Sequence, residues 1–92
     1  MGRIRVKYLN VYHDLTGKKE EFIDFEESLT LGELVERVTE SSHPKFRDSI
    51  LDEVKRLKPH VWILVNRAHV NDFERVLKDG DVVVFSFPPM GG

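Results

Sequence analysis

The stretch from Arg3 to Tyr8 constrains the fold most, because its side chains alternate without a break. Ile4, Val6 and Tyr8 fall on one face and Arg3, Arg5 and Lys7 on the other, the period-two pattern of a half-buried strand. Carried on through Tyr12, the same register puts Leu9 and Val11 with the basic residues, pointing away from the core. One face of this strand is dry, so other elements of the chain must cover it.

The rest of the sequence supplies those elements. After a turn at Thr16-Gly17-Lys18-Lys19, the segment EEFIDFEE (20–27) suits a second strand with Ile23 and Phe25 facing inward. Thr30-Leu31-Gly32-Glu33 has the form of a capping box, a hydroxyl closing a helix start and a carboxylate returning from three residues on. Leu31, Leu34, Val35 and Val38 then make one helical stripe. Pro44 opens a second helix on which Phe46, Ile50, Val54 and Leu57 keep helical spacing until Pro59. Val61–Val65 is a strand, Asn66-Arg67-Ala68 a turn into a short strand at His69-Val70, and residues 71–78 are irregular or a helical turn. Lys78-Asp79-Gly80-Asp81 turns the chain into a last strand, Asp81–Phe87. Two strands, helices and three further strands make an α+β protein of the β-grasp arrangement, with helices on one face of a mixed sheet of about five strands. The first and last strands suit central positions.

Ninety-two residues fill one domain, which we bound at 1–87, with 88–92 as a flexible C-terminal tail. The composition is 40% hydrophobic and 33% charged, a balance of folded proteins rather than disordered ones. Fourteen basic residues are dispersed among 16 acidic ones for a net charge of −2, which gives no electrostatic case for nucleic acid. No apolar run approaches the roughly 18 residues of a membrane span, and MGRIRVKYLN lacks a signal-peptide core, so a cytoplasmic location is expected with no membrane partner.

Familiar catalytic patterns are missing: there is no P-loop, GxGxxG, GxSxG or HExxH. His13, His43, His60 and His69 are scattered and fit surface or turn positions rather than metal sites. Glu20-Glu21 and Glu26-Glu27 lie on successive strand positions, so neither pair converges. The chain has no cysteine, hence no thiolate nucleophile or zinc site of that kind.

The remaining chemistry lies in the last five residues, Pro88-Pro89-Met90-Gly91-Gly92. The prolines end sheet pairing and favour an extended exit. Gly91 and Gly92 can pass through a channel too narrow for other residues. The carboxylate of Gly92 is ionised at neutral pH, with an ordinary pKa near about 3.5. It becomes electrophilic only once a partner installs a leaving group on it.

Four stretches together resemble the MoaD family, the small sulfur-carrier subunit of molybdopterin synthase within the ubiquitin-like superfamily: IRVKYLNVYHDLTG, TLGELVERV, ILVN and LKDGDVVVFSFPPMGG. The resemblance spans nearly the whole chain. It implies that an E1-like adenylating enzyme (MoeB/ThiF-like) uses ATP to adenylate Gly92, and that a sulfur donor converts the adenylate to a thiocarboxylate. It also implies that a MoaE-like large subunit, which supplies the catalytic side chains, receives the tail. There the sulfur passes to a pyranopterin on the way to a molybdenum or tungsten cofactor. The chain itself is then a sulfur-donating subunit that binds no cofactor and no metal. One departure stands out: the family ends PPVxGG, whereas only Met90 separates Pro89 from Gly91 here. The reach is shorter by about 3.3–3.6 Å.

Strand parity also suggests where partners dock. With Val84 inward, Phe85 and Phe87 point outward, and Trp62 and Leu64 join them if Ile63 and Val65 are core. Leu9, Val11, Trp62, Leu64, Phe85 and Phe87, with Pro88, Pro89 and Met90, form the expected partner-binding surface. Other functions stay open: a ubiquitin-like modifier joined through Gly92 to target lysines, a sulfur carrier for tRNA or thiamin precursors, or a binding domain with an inert tail. Residues 44–58 argue against the thiamin branch, whose members tend to lack a second helix.

Overall fold

The computed structural model describes residues 1–86. The expectations for Phe87, Pro88, Pro89, Met90, Gly91 and Gly92 lie outside the described residues. The elements run β1 (Gly2–Tyr8), α1 (Val11–Thr16), β2 (Glu20–Phe25), β3 (Leu29–Thr30), α2 (Leu31–Ser41), α3 (Pro44–Ile50), β4 (Trp62–Val65), β5 (Ala68–His69), β6 (Val76–Leu77) and β7 (Val82–Ser86). Five strands form a mixed sheet in the order β2-β1-β7-β4-β5, and β3 pairs with β6 in a small second sheet. β1 and β7 run parallel at the interior of the sheet, and every other pairing is antiparallel. This is the β-grasp fold expected from the pattern of the sequence, with the sheet topology that the family resemblance also implied.

One face of the sheet makes the core. Ile4, Val6 and Tyr8 of β1 lie beside Val83 and Phe85 of β7, which lie beside Ile63 and Val65 of β4, all buried. Leu31, Leu34, Val35 and Val38 of α2 and Phe46 and Ile50 of α3 close over them. The capping box is present: Glu33 N donates to Thr30 Oγ1 at 3.1 Å, and Thr30 N donates to Glu33 Oε1 at 2.9 Å. That reciprocal bond fixes the start of α2 and holds the Glu33 carboxyl below its ordinary pKa. Gly32 N donates to Phe73 O at 2.9 Å, an approach so close that a β-carbon would sit 3.1 Å from Phe73.

Three expectations need correction. The first strand ends at Tyr8 rather than Tyr12, and residues 11–16 form α1, with Gly17 at φ 75° closing it. Tyr12 is buried against Phe46 and Phe85, so burial of its ring sets the start of the helix. The second helix stops at Ile50. Beyond it, Asp52 Oδ1 accepts from Val54 N and Arg56 N, both at 2.9 Å, and Lys55 takes φ 63°. That side-chain competition for backbone amides ends the helix, and it leaves Val54 64% exposed despite its helical spacing. Finally, residues 76–77 are a strand: Leu77 is buried and pairs with Leu29.

Candidate functional site

β7 is the last described element, and its C-terminal end is where the chain departs toward Gly92. Leu9 N donates to Phe85 O at 3.2 Å on one side of it, and Trp62 pairs with Ser86 on the other. The open face of the sheet leads up to this point. Val82, Val84 and Ser86 of β7, Trp62 and Leu64 of β4, and Phe22 of β2 all turn to that face, half-buried or exposed.

Phe85 is not among them, contrary to its assignment to the partner-binding surface. It is 0% exposed, stacked on Tyr8 at 5.5 Å and edge-on to Phe46 at 5.6 Å. The parallel pairing of Val6 with Val83 and Tyr8 with Phe85 puts Phe85 on the core side and Val84 on the open side. In VVVFSF the one polar residue, Ser86, shares parity with Val82 and Val84, and that parity was the available cue. Trp62 and Leu64 do lie on the open face as expected. Leu9 and Val11 are 42% and 41% exposed, but they sit at the corner between β1 and α1 rather than along a strand. Phe22 and Val82 are apolar members of the face that the sequence did not single out, and Val84, expected to point inward, lies there too.

Charge on β1 divides this face. Lys7 lies between Glu20 and Val84, and Arg5 lies between Phe22 and Val82. Arg5 Nη2 bonds Glu20 Oε2 at 2.7 Å and Arg3 Nε bonds Asp24 Oδ1 at 2.7 Å. These hydrogen bonds hold the Glu20 and Asp24 carboxyls below their ordinary values. Arg3 also covers the Phe22 ring, 5.6 Å from its centroid. Trp62 stacks on His69 with centroids 4.2 Å apart and planes 7° apart, which fixes the indole across the β4–β5 hairpin.

Two polar ties stiffen the strands that carry the face. Asn66 and Arg67 both take positive φ, the requirement of a type I′ hairpin turn. Asn66 Nδ2 donates to Asp81 Oδ1 at 2.9 Å while Val82 N donates to Asn66 Oδ1 at 3.0 Å, locking the hairpin to the start of β7. At the opposite end, Tyr8 Oη donates to Glu21. Burial, reinforced by that bond, pushes the Tyr8 phenol well above its ordinary value. Three of the four histidines have structural roles: His43 Nδ1 accepts from Lys45 N at 3.1 Å, His60 lies against Ser49 O, and His69 supports Trp62. Among the described residues, no group of acidic and histidine side chains could hold a metal ion, and no helix is long and apolar enough to cross a membrane.

The described residues thus present a sheet face that is apolar over β7 and β4 and basic along β1. The chain is similar to several known proteins. Residues 6–92 match the model of the ThiS family. A protein assigned as molybdopterin converting factor subunit 1 from Pyrococcus furiosus is 31% identical, with a TM-score of 0.76 over 97% of this chain and 100% of that one. SAMP1 from Haloferax volcanii superposes with a TM-score of 0.85 at 19% identity, over 99% of this chain and 100% of that one. Urm1 from Trypanosoma brucei gives 0.76 at 23% identity, over 99% and 96%. Comparison with curated protein sequences gives no match. With a family match that runs from within β1 to the last residue, this chain belongs to the ThiS family.

Proposed function

We propose that this protein carries sulfur as a thiocarboxylate on Gly92 and serves as the small subunit of a molybdopterin synthase. The family match extends through Gly91 and Gly92, and this is the observation that carries the reading. The 31% identity to the Pyrococcus furiosus protein favours a molybdopterin acceptor over other acceptors.

The chemistry is that of a carboxylate made electrophilic. The Gly92 carboxylate attacks the α-phosphorus of ATP on a MoeB/ThiF-like enzyme, expelling pyrophosphate and leaving an acyl-adenylate. Sulfide from the donor then adds to the carbonyl, AMP leaves, and the thiocarboxylate remains. A MoaE-like large subunit accepts the charged tail and directs the sulfur to a pyranopterin. The strip formed by Trp62, Leu64, Val84 and Val82 is the docking face for these partners, with Phe22 set apart beyond Arg5, and the stacked Trp62 is its anchor.

Reconstitution tests this reading. The chain, ATP, the adenylating enzyme and sulfide, followed by the large subunit and a cyclic pyranopterin, should yield a dithiolene product. A chain lacking Gly92 should yield none. A thiocarboxylated chain that gives no dithiolene, yet passes sulfur to tRNA or thiamin precursors, would assign it another acceptor. Isopeptide conjugates formed from the same activated Gly92 would assign it to protein modification.

A further inference from the structure

The corner that takes the chain from β1 into α1 is built against backbone preference. Asn10 lies at φ 51°, ψ −123°, the first central position of a type II′ turn, where glycine is the favoured residue. Tyr12 N donates to Leu9 O at 3.0 Å and closes that turn. The surroundings impose the conformation from both sides. Leu9 N is tied to Phe85 O, and the Tyr12 ring is buried among Phe46 and Phe85.

A glycine at position 10 would remove the strain, yet the chain has an asparagine. Its side chain forms no capping bond to α1, so the carboxamide does not offset the strain from within that helix. Asn10 is exposed, and so are Leu9 and Val11 on either side of it. The turn therefore presents an amide between two aliphatic groups, directly beside the end of β7. Backbone strain of this kind persists where the surrounding structure over-determines it, and it concentrates at functional positions.

A carboxamide offers one acceptor and two donor hydrogens in a plane, which matches a peptide group of a partner. We propose that Asn10 is a recognition residue for the enzyme that activates Gly92. Its carboxamide pairs with a peptide group of that enzyme, and Leu9 and Val11 bury alongside as the tail enters the catalytic channel. The identity of the partner rests on the sulfur-carrier reading. The strain and exposure of the corner do not.

Paired measurements on the full chain test the proposal: thermal unfolding, and ATP–pyrophosphate exchange catalysed by the MoeB/ThiF-like enzyme with this protein as the varied substrate. Asn10→Gly should unfold at a higher temperature than the wild type, because relief of strain exceeds the extra freedom glycine gives the unfolded chain. It should also raise KM about tenfold with kcat little changed, the mark of lost binding rather than lost chemistry. Asn10→Ala should raise KM similarly while gaining no stability, which separates the amide from the backbone. Unchanged KM in Asn10→Gly would overturn the recognition role, and a lowered unfolding temperature would overturn the strain. No exchange with the wild type would refute the carrier reading, and with it the partner named here. A wild type that exchanges normally beside an unaffected Asn10→Gly refutes this proposal alone.

Discussion

Replacing Phe85 by alanine removes the ring on which Tyr8 stacks and against which Phe46 and Tyr12 pack. The expected cost is about 3–5 kcal/mol of folding stability, measured by denaturant unfolding. Val84→Ala, one residue away on the open face, should cost under about 1.5 kcal/mol. Equal losses at the two positions would contradict the register described here. Ile4, Val6 and Tyr8 were legible as core because charged residues separate them. VVVFSF has apolar side chains on both faces, so its parity is fixed by pairing with β1, and only Ser86 hinted at it. Asn10 was invisible for another reason: side-chain identity does not reveal a backbone angle that long-range packing of Tyr12 and Phe85 imposes.

Local elements follow their sequence where a single residue controls the backbone. The capping box at Thr30 was legible and is present, and Thr30→Ala should cost about 1 kcal/mol by thermal or chemical unfolding. α3 was legible at its start, where Pro44 follows the capping His43, but not at its end. Phe46, Ile50, Val54 and Leu57 keep helical spacing past the point where Asp52 gathers the amides of Val54 and Arg56. Leu57 is drawn instead into a bridge with Leu51. On the hairpin of β4 and β5, the Trp62–His69 stack makes the indole a rigid contact. Trp62→Ala should weaken binding to the large subunit proposed as partner by about 2 kcal/mol or more while the chain still unfolds cooperatively. Full-strength binding by a folded Trp62→Ala protein would remove this face from the interface.

At the scale of the molecule, charge sets the pH range of stability. The carboxyls of Glu20, Asp24, Glu33 and Asp52 all titrate below their ordinary values, held there by hydrogen bonds from Arg5, Arg3, the Thr30 backbone and the Arg56 backbone respectively. Between the folded and unfolded values the unfolded chain binds more protons, so this stabilisation is complete above the unfolded values of 4.5 for Glu and 3.8 for Asp. It is lost as pH falls through the folded values. Tyr8 acts in the opposite sense: its contribution is complete below an unfolded value of 10.0 and is lost as pH rises beyond it. Unfolding temperatures should therefore be level near neutrality and decline at both extremes. An unfolding temperature that rises on acidification below pH 4.5 would contradict the ion-paired sheet margin.

The β-grasp topology was legible because the order of elements and the central strands leave few ways to bury their apolar faces. The open face of the sheet was legible only in Trp62 and Leu64, since its other members depend on the register of β7 and on Phe22 of β2. The central claim concerns Gly92, and intact-mass analysis of the protein isolated from its own cells tests it most directly. The account predicts a population heavier by one oxygen-to-sulfur exchange, located on the C-terminal fragment and absent when Gly92 is deleted. A Gly92 that carries only an unmodified carboxylate, or is found only in amide linkage to lysines of other proteins, would contradict it.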